Sequence, residues 1–370
     1  MTTDKMFEVF NHIHEHPELS NEEYETTEYI FNFLEAEGFK PVKFKNITGL
    51  YCDIGDFSSG PVIGIRADID ALYQEVDGVK RANHSCGHDA HTAMVVQAML
   101  ALKDHEVLSD CGVRFVFQPA EEVGTGALDV SDEGIIEDMD YFFGIHLRPV
   151  EEAVSGTATP SIEHGSAASV EFRIIGDDAH GARPHLNYNA IEIGAEIVNM
   201  LSKIHINPVI PSSVKMTKFI AGGKSLNIIP GIAECGIDMR AQTNEAMDQL
   251  KDRVFDILNH VESFYGVKIE DVDFSKIVAS ESHESAVALL REGIVETIGE
   301  ENCLEPVVTS GGDDFHYYTV KYPDLKGAMV GIGCDLKPGL HHPKMTFDHN
   351  AMSTGADILV NTVLAAAKGK

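Results

Sequence analysis

The sequence is poor in basic residues, and this shortage argues against whole classes of partner. Lysine and arginine number 28 against 59 aspartates and glutamates, so the 370-residue chain carries a formal net charge of −31. A field of that sign repels phosphate backbones and anionic lipid, and we therefore expect neither nucleic-acid binding nor a role at membrane surfaces. The same field favours a metal cation, but it does not indicate where one would bind.

Cysteines and long apolar segments are also scarce. The six cysteines include no CxxC pair and no compact framework, a usage typical of reduced thiols in the cytoplasm. The N-terminal stretch MTTDKMFEVFNHIHEHPELS lacks the apolar centre of a signal peptide, and no apolar run approaches membrane-spanning length. We therefore expect a soluble cytoplasmic protein.

The length and the order of apolar segments predict two domains, because 370 residues exceed what one hydrophobic core usually serves. Short apolar runs that end in polar clusters alternate with helical segments, which predicts an α/β domain with a doubly wound, mixed but largely parallel sheet. In such sheets, sites form outside the carboxyl ends of the strands. The runs are PVIGIRADID (61–70), VRFVFQPAEE (113–122), YFFGIHL (141–147) and AMVGIG (328–333).

The middle of the chain has a different pattern, which predicts a ferredoxin-like α+β unit with the order βαββαβ. We therefore expect an inserted domain at 165–276, within a discontinuous first domain formed by 1–164 and 277–370. The strands and helices of the insertion are predicted at 168–175, 189–204, 214–220, 232–242, 244–264 and 267–274.

The stretch HSCGHDAHTA (84–93) suggests a metal centre. Cys86 and His88 are two residues apart in a glycine-containing loop, so both can point at one ion, and a cysteine binds metal as the thiolate. His84 and His91 are weaker candidates. The motif alone does not distinguish a metal site from a loop histidine beside a buried thiol.

The pair Glu121 and Glu122 follows the buried run VRFVFQP in the stretch QPAEE. Adjacent residues on a strand point to opposite sides, so we expect one glutamate to bind metal while its neighbour faces the water beside it. Glutamate pairs are usually solvated surface, and only the preceding buried run separates this pair from the others in the chain.

Further polar residues end the remaining apolar runs. Asp68 and Asp70 end IRADID, His146 ends YFFGIHL, and His341 and His342 follow AMVGIG through a Gly/Pro loop. Each is ambiguous alone, since lone histidines in such places are more often core residues than ligands. Together with Cys86, these strand ends predict one crevice lined by thiolate, imidazole and carboxylate groups.

The sequence resembles the aminoacylase/carboxypeptidase-G-type metal-dependent amidohydrolases, in the subgroup of hippurate hydrolases and indole-acetyl-amino acid hydrolases. The resemblance covers essentially the whole chain, and the link YQEVDGVKRANHS looks most like bacterial amidohydrolases of the AmhX type. The motifs that carry it are, in order, HEHPELS, GIRADIDAL, CGHDAHTAM, FQPAEE, GIHLRP, HGARPH, GGKSLNIIPG and LHHP.

The resemblance implies a site for two divalent metal ions. Glu121 matches the general base of the family, and Asp68 matches an aspartate that orients the site. Arg66 stands where related peptidases have a histidine ligand, as is usual in this subgroup. His342 is the alternative to the adjacent His341 as a metal ligand. The implied metal ligands are Cys86, His88, Glu122, His146 and His341.

The resemblance also assigns a role to the inserted domain, as a lid and as the interface of a homodimer. His180 matches a histidine that helps to stabilise the oxyanion, often in the partner subunit's site. Asn227 and Arg240 match groups near the carboxylate end of the substrate.

The function implied is hydrolysis of the amide bond of N-acyl amino acids by a metal-activated water. Zinc suits thiolate and imidazole ligands best, and manganese, nickel or cobalt are compatible with them. Two other enzyme classes share the scaffold: a dipeptidase or carboxypeptidase, and an N-acetyl-diaminopimelate deacetylase. A non-catalytic metal-binding homologue is a further alternative, but Glu121 argues against it because a binding protein needs no general base.

Overall fold

The structure, a computed structural model, describes residues 2–368 and divides into two compact units. The first unit contains the chain up to Glu163, the segment Glu281–Val308 and the residues that follow Gly312. The second consists of His164–Ser280 and the short segment Thr309–Gly312, so that it encloses the predicted insertion of 165–276.

Helices and strands alternate through most of the described chain. The α-helices are α1 (Thr2–Glu15), α2 (Tyr24–Ala36), α3 (His88–Leu102), α4 (Gly126–Asp132), α5 (Ala190–Leu201), α6 (Asn244–Tyr265), α7 (Glu284–Ile298), α8 (His316–Lys321) and α9 (Ala351–Lys368). The strands are β1 (Val42–Lys43), β2 (Leu50–Gly55), β3 (Val62–Asp68), β4 (Leu72–Val76), β5 (Val79–Asn83), β6 (Gly112–Gln118), β7 (Tyr141–Pro149), β8 (Ala158–Thr159), β9 (Ile162–His164), β10 (Ser166–Ile175), β11 (Ala179–His180), β12 (Ser212–Ala221), β13 (Ile228–Ile229), β14 (Ile232–Ala241), β15 (Lys268–Ile277), β16 (Val307–Thr309) and β17 (Lys326–Leu336). Short 3₁₀ helices lie at Glu106–Ser109, Pro184–Leu186 and Glu300–Asn302.

The first unit is built on a mixed seven-stranded sheet with the order β1-β2-β6-β3-β7-β17-β8. Its four central strands, β6, β3, β7 and β17, run parallel, and the strands outside them pair antiparallel. Strands β3 and β6 are buried along their whole length, which explains why they read as continuous apolar runs.

Helices cover both faces of this sheet, so that two hydrophobic clusters form. One cluster includes side chains of α1, α3, α7 and α9, and the other includes side chains of α4 and α8. Alternate residues of β6 enter opposite clusters, with Phe115 and Phe117 in the first and Val116 in the second. The predicted doubly wound α/β architecture is confirmed.

The second unit contains a four-stranded antiparallel sheet with the order β12-β14-β10-β15. Its two long helices share one core with the sheet: Val170 and Phe172 of β10 cluster with Ile193 of α5 and Val254 of α6. The element order and the sheet order are those of a ferredoxin-like unit, as the sequence pattern predicted.

Within residues 2–368, no helix is both long enough and apolar enough to cross a bilayer.

Candidate active site

Polar side chains of the first unit gather where its parallel strands end. Asp68 is the last residue of β3, the glutamate pair follows β6, and His146 lies near the end of β7. Potential ligand atoms lie within 4.8 Å of one another in five overlapping groups. Three of them consist of the implied metal ligands and Glu121: Cys86, His88 and His146; Cys86, Glu122 and His341; and His88, Glu121 and Glu122. The other two are Asp68, His88 and His91, and Glu121, Asp313 and Asp314. The structure thus brings together the five residues that the family resemblance implies as metal ligands, and Glu121 with them.

A glycine places Cys86 and His88 on either side of a tight turn. Gly87 has a φ of 94°, and a Cβ atom there would lie 2.9 Å from Leu147 Cδ1. The backbone conformation therefore favours glycine, and a side chain here would also displace the end of Leu147. The turn starts α3 at His88 and leaves Cys86 in the preceding loop, with its Sγ 3.5 Å from His146 Nε2.

His88 has the environment expected of a metal-binding imidazole. Its Nδ1 lies 3.0 Å from both the backbone oxygen and the carboxylate of Asp70, which fixes the ring and assigns the proton to Nδ1. Its Nε2 is buried and has no hydrogen-bond partner among the described residues. That nitrogen instead faces carboxylate oxygens of Asp68 at 3.7 Å and of Glu121 and Glu122 at 3.8 Å each.

The side chain of Glu122 also has a buried polar atom without a hydrogen-bond partner among the described residues. Its Oε1 has no hydrogen-bond partner within the described part of the chain, and its Oε2 lies 3.5 Å from His341 Nε2. Burial raises the pKa of Glu122 to about 7. Ionised carboxylates are costly to bury unless a positive charge compensates them, so this donor set fits a cation.

His146 is held in the form that binds metals. Its Nδ1 donates to the carbonyl of Leu147 at 2.6 Å, which leaves Nε2 available next to Cys86. Burial and the neighbouring His91 hold the pKa of His146 well below its usual value, so the ring is neutral. Burial also raises the pKa of the Cys86 thiol. A bound cation would have the opposite effect and lower this pKa.

The two adjacent histidines after β17 differ in their contacts. The backbone N–H of His341 donates to the carbonyl of Ser85 at 2.8 Å, and this bond ties His341 to the loop of Cys86. The Nδ1 of His342 instead accepts the backbone N–H of Lys344 at 3.1 Å. Among the described residues, His341 belongs to a ligand cluster and His342 does not, so the geometry favours His341.

The glutamate pair is arranged by a turn, and the expectation that strand alternation separates the two side chains is wrong. Strand β6 ends at Gln118, and Ala120 has a φ of 55° before the turn that begins at Glu121. Consequently both carboxylates face His88 Nε2 rather than opposite sides of a sheet. Burial, with the nearby charge of Asp313, raises the pKa of Glu121 well above its usual value.

A close backbone approach completes this turn. The N–H of Gly126 donates to the carbonyl of Ala120 at 3.1 Å, which closes the loop that carries the two glutamates. A Cβ atom at position 126 would lie 1.7 Å from the carbonyl oxygen of Pro119. Only glycine allows the loop to fold back at this point.

A fully buried arginine organises the carboxylates next to the ligand cluster. Arg66 donates to Asp68 at 2.6 Å, to Asp314 at 2.8 Å and to the side-chain oxygen of Gln118 at 2.9 Å. Asp314 in turn donates its backbone N–H to Glu121 Oε1 at 3.4 Å. Asp314 was not predicted as a site residue, because an Asp-Asp pair after two glycines looks like a solvated loop. The aromatic stretch FHYY after it is the one sequence signal of burial.

Asp68 orients this side of the site through two partners. One carboxylate oxygen accepts from Arg66, and the other lies 2.7 Å from His91 Nδ1. Although burial opposes its ionisation, the charges of His88 and Arg66 hold the pKa of Asp68 well below its usual value. The Nε2 of His91 accepts the backbone N–H of Leu147 at 3.0 Å, so both ring nitrogens are engaged and His91 is a structural residue rather than a ligand.

The remaining candidates lie in the second unit. His180 on β11 pairs with Ile228 on β13, and the carbonyl of Asn227 accepts the backbone N–H of Gly181 at 2.7 Å, so His180 and Asn227 are neighbours. Arg240 lies on β14, in a different sheet, where it pairs with Asp238 at 2.9 Å.

Comparison with known proteins identifies the family. The model of peptidase family M20/M25/M40 matches residues 64–365, which is most of the chain. The chain belongs to this family.

Several named proteins of known sequence or structure are similar to this M20 family member over nearly its whole length. The chain is 31% identical to the N-acetyl-L-cysteine deacetylase of Bacillus subtilis over 93% of its own length and 84% of that protein. It is 28% identical to the N-acetyldiaminopimelate deacetylase of the same organism, over 97% and 98% of the two chains. The crystal structure of the Bacillus subtilis YXEP protein, described as a dinuclear metal binding peptidase from the M20 family, superposes with a TM-score of 0.84 at 26% identity, covering 100% of this chain and 99% of that one. The chain is therefore a metal-dependent amide hydrolase.

Proposed function

We propose that this M20 protein hydrolyses the amide bond of N-acyl amino acids at a centre for two divalent cations. The observation that carries the proposal is the buried Nε2 of His88, which has no hydrogen-bond partner among the described residues and faces Glu121 and Glu122 at 3.8 Å each. The names of the two deacetylase relatives support N-acyl amino acids as the substrate class.

We assign the cations to a mixed set of sulphur, nitrogen and oxygen donors. This set suits zinc best, while manganese, nickel and cobalt are compatible with it. Bound divalent cations lower the pKa of water and polarise an amide carbonyl. The residues assigned as ligands are Cys86, His88, Glu122, His146 and His341.

Glu121 is assigned as the general base and acid. The N–H of Asp314 anchors its Oε1, whereas its Oε2 is the oxygen that faces His88. In the proposed reaction, Oε2 accepts a proton from the water that attacks the amide carbon. Glu121 then returns this proton to the departing nitrogen as the C–N bond breaks, so one carboxylate serves in both steps.

The second unit is proposed to bind the substrate and to act as a lid. His180 would stabilise the developing negative charge on the amide oxygen, and Asn227 and Arg240 would bind the free carboxylate of the amino acid. In support, Arg240 lines a cavity of about 230 Å³ together with small polar side chains such as Ser213 and Ser310. The catalytic domain is then 1–164 with 277–370, and the lid is 165–276.

A homodimer through the second unit is the proposed assembly. Strand β12 is an edge strand of its sheet, and Ile220 on this strand is 60% exposed. Val198 on the neighbouring helix α5 is also exposed. A long edge strand with exposed apolar side chains is a template on which another chain can pair. We also assign the protein to the cytoplasm, since all six cysteines are free thiols.

Substrate screening tests this function. N-acetyl, N-benzoyl and indole-acetyl amino acids and N-acetyl-diaminopimelate are compared with simple dipeptides, with release of free amine as the readout and Glu121→Gln as the control. We expect N-acyl amino acids to give the highest kcat/KM. Preference for dipeptides would instead indicate a peptidase, and preference for the diaminopimelate derivative would indicate the deacetylase named among the relatives. A lack of turnover on all of them would contradict the proposed substrate class.

A further inference from the structure

Glu23 is a fully buried carboxylate that the proposed reaction does not use. It lies directly before α2, remote in sequence from the active-site motifs. Its Oε1 accepts the backbone N–H of Ala120 at 2.8 Å and that of Asn21 at 3.0 Å. Its Oε2 accepts the hydroxyl of Thr48 at 2.5 Å. Both oxygens are therefore engaged inside the protein.

The residue that Glu23 contacts, Ala120, has an unfavourable backbone conformation. With a φ of 55°, Ala120 adopts the left-handed conformation that alanine rarely takes. It is also the residue directly before Glu121. A residue is kept in such a conformation only when its surroundings determine it, and the bond from Ala120 N–H to Glu23 is one such determinant.

The backbone of Glu122 is held by a different carboxylate, that of Asp70. The backbone N–H of Glu122 donates to Asp70 Oδ2 at 3.0 Å, and the same oxygen accepts the hydroxyl of Ser20 at 2.7 Å. The segment Ala120–Glu122 is therefore held at both ends by buried carboxylates. Glu23 holds the end that precedes Glu121, and Asp70 holds the end that carries Glu122.

We propose that Glu23 is a positioning residue that aims the carboxylate of Glu121 by fixing the backbone of Ala120. This inference rests on the proposed role of Glu121 as general base. It requires an acceptor atom at the right distance from Ala120 N–H, and it does not require a negative charge at position 23.

Two conservative variants of Glu23 distinguish the effect of its side-chain length from the effect of its negative charge. In Glu23→Gln the amide oxygen can still accept from Ala120 N–H, and the amide N–H can donate to the Thr48 hydroxyl oxygen. In Glu23→Asp the charge is kept, but the side chain is one methylene shorter and loses the Ala120 contact. Glu22→Asp, at the adjacent exposed position, is the matched control.

We expect Glu23→Gln to keep kcat within about threefold of the wild type. Glu23→Asp should lose about tenfold or more in kcat with KM and the metal content per chain little changed, because a small misplacement of a catalytic group slows chemistry. Wild-type kcat in Glu23→Asp would overturn the proposal. So would a Glu23→Gln variant as slow as Glu23→Asp, since an acceptor atom at the right distance from Ala120 N–H would then not be sufficient.

Amide hydrogen exchange of the metal-free protein supplies a readout independent of turnover. The Ala120 amide should exchange slowly in the wild type and in Glu23→Gln, and faster in Glu23→Asp; rapid exchange in the wild type would contradict the proposal even if a variant does not fold. If instead Glu121→Gln retains full turnover, the proposed general base is wrong, whatever the exchange rates at Ala120 are.

Discussion

Arg66 and Asp314 form an ion pair at 2.8 Å in which both side chains are fully buried. The pair links the two proposed catalytic carboxylates, because Arg66 also donates to Asp68 and because Asp314 donates its backbone N–H to Glu121. A change on either side of this pair should therefore reach both Asp68 and Glu121.

Substitution of Arg66 by methionine is expected to destabilise the protein by about 3–5 kcal/mol, since it leaves buried carboxylates without their cation. Denaturant unfolding of the metal-free protein measures the change. The control is Arg291→Met, which removes a more exposed arginine that pairs with Glu300 and Glu305 and should cost at most about 1 kcal/mol. Equal stability of the two variants would show that the Arg66 network contributes little.

Replacing the proposed thiolate ligand tests the assignment of Cys86. We expect Cys86→Ser to lower metal affinity by about tenfold or more, because a serine hydroxyl stays protonated where the thiol ionises on a cation. Titration with a competing chelator measures the affinity. Cys303→Ser, outside the clusters formed by the described residues, should bind metal like the wild type. Unchanged affinity in Cys86→Ser would remove this residue from the ligand set.

The two adjacent glutamates are expected to respond differently to the same substitution. Glu121→Gln should retain its metal and lose about 10²–10⁴-fold in kcat, as expected for loss of general acid–base catalysis. Glu122→Gln should lose metal as well, since its carboxylate lies between His88 and His341. Elemental analysis beside steady-state kinetics separates the two effects, and equal metal loss in both variants would show that the roles are misassigned.

Much of this site could be predicted from sequence because its residues end apolar runs. Strands buried on both faces produce recognisable runs such as VRFVFQP, and sites form where such strands end. His146 was found in this way and Cys86 from its spacing to His88 in a glycine-containing loop, and the structure brings both to one cluster. The ferredoxin-like unit was predictable for a similar reason, since its strands and helices have regular apolar periods.

The groups that hold the ligands in place could not be predicted in the same way. Arg66, Asp314 and Glu23 are charged residues, and sequence alone does not show whether a charge is buried. The left-handed conformation of Ala120 was hidden as well, because alanine carries no turn signal. This is why strand alternation seemed to explain the glutamate pair when a turn arranges it.

Mixing two inactive variants tests whether the lid acts across the proposed dimer. His180→Ala and Glu121→Gln proteins are combined under conditions that allow subunits to exchange. We expect activity to recover, because one site of each mixed dimer would then receive His180 from the other subunit and an intact Glu121. No recovery, with heterodimers verified by mass, would mean that each subunit uses its own His180.

Removal of metal tests the central claim most directly. The purified protein is treated with a chelator, its metal content is measured by elemental analysis, and amide hydrolysis is assayed before and after zinc, manganese or cobalt is restored. The account predicts two divalent cations per chain in the active protein, loss of hydrolysis without them and recovery on their return. Full activity in a preparation shown to be metal-free would contradict it.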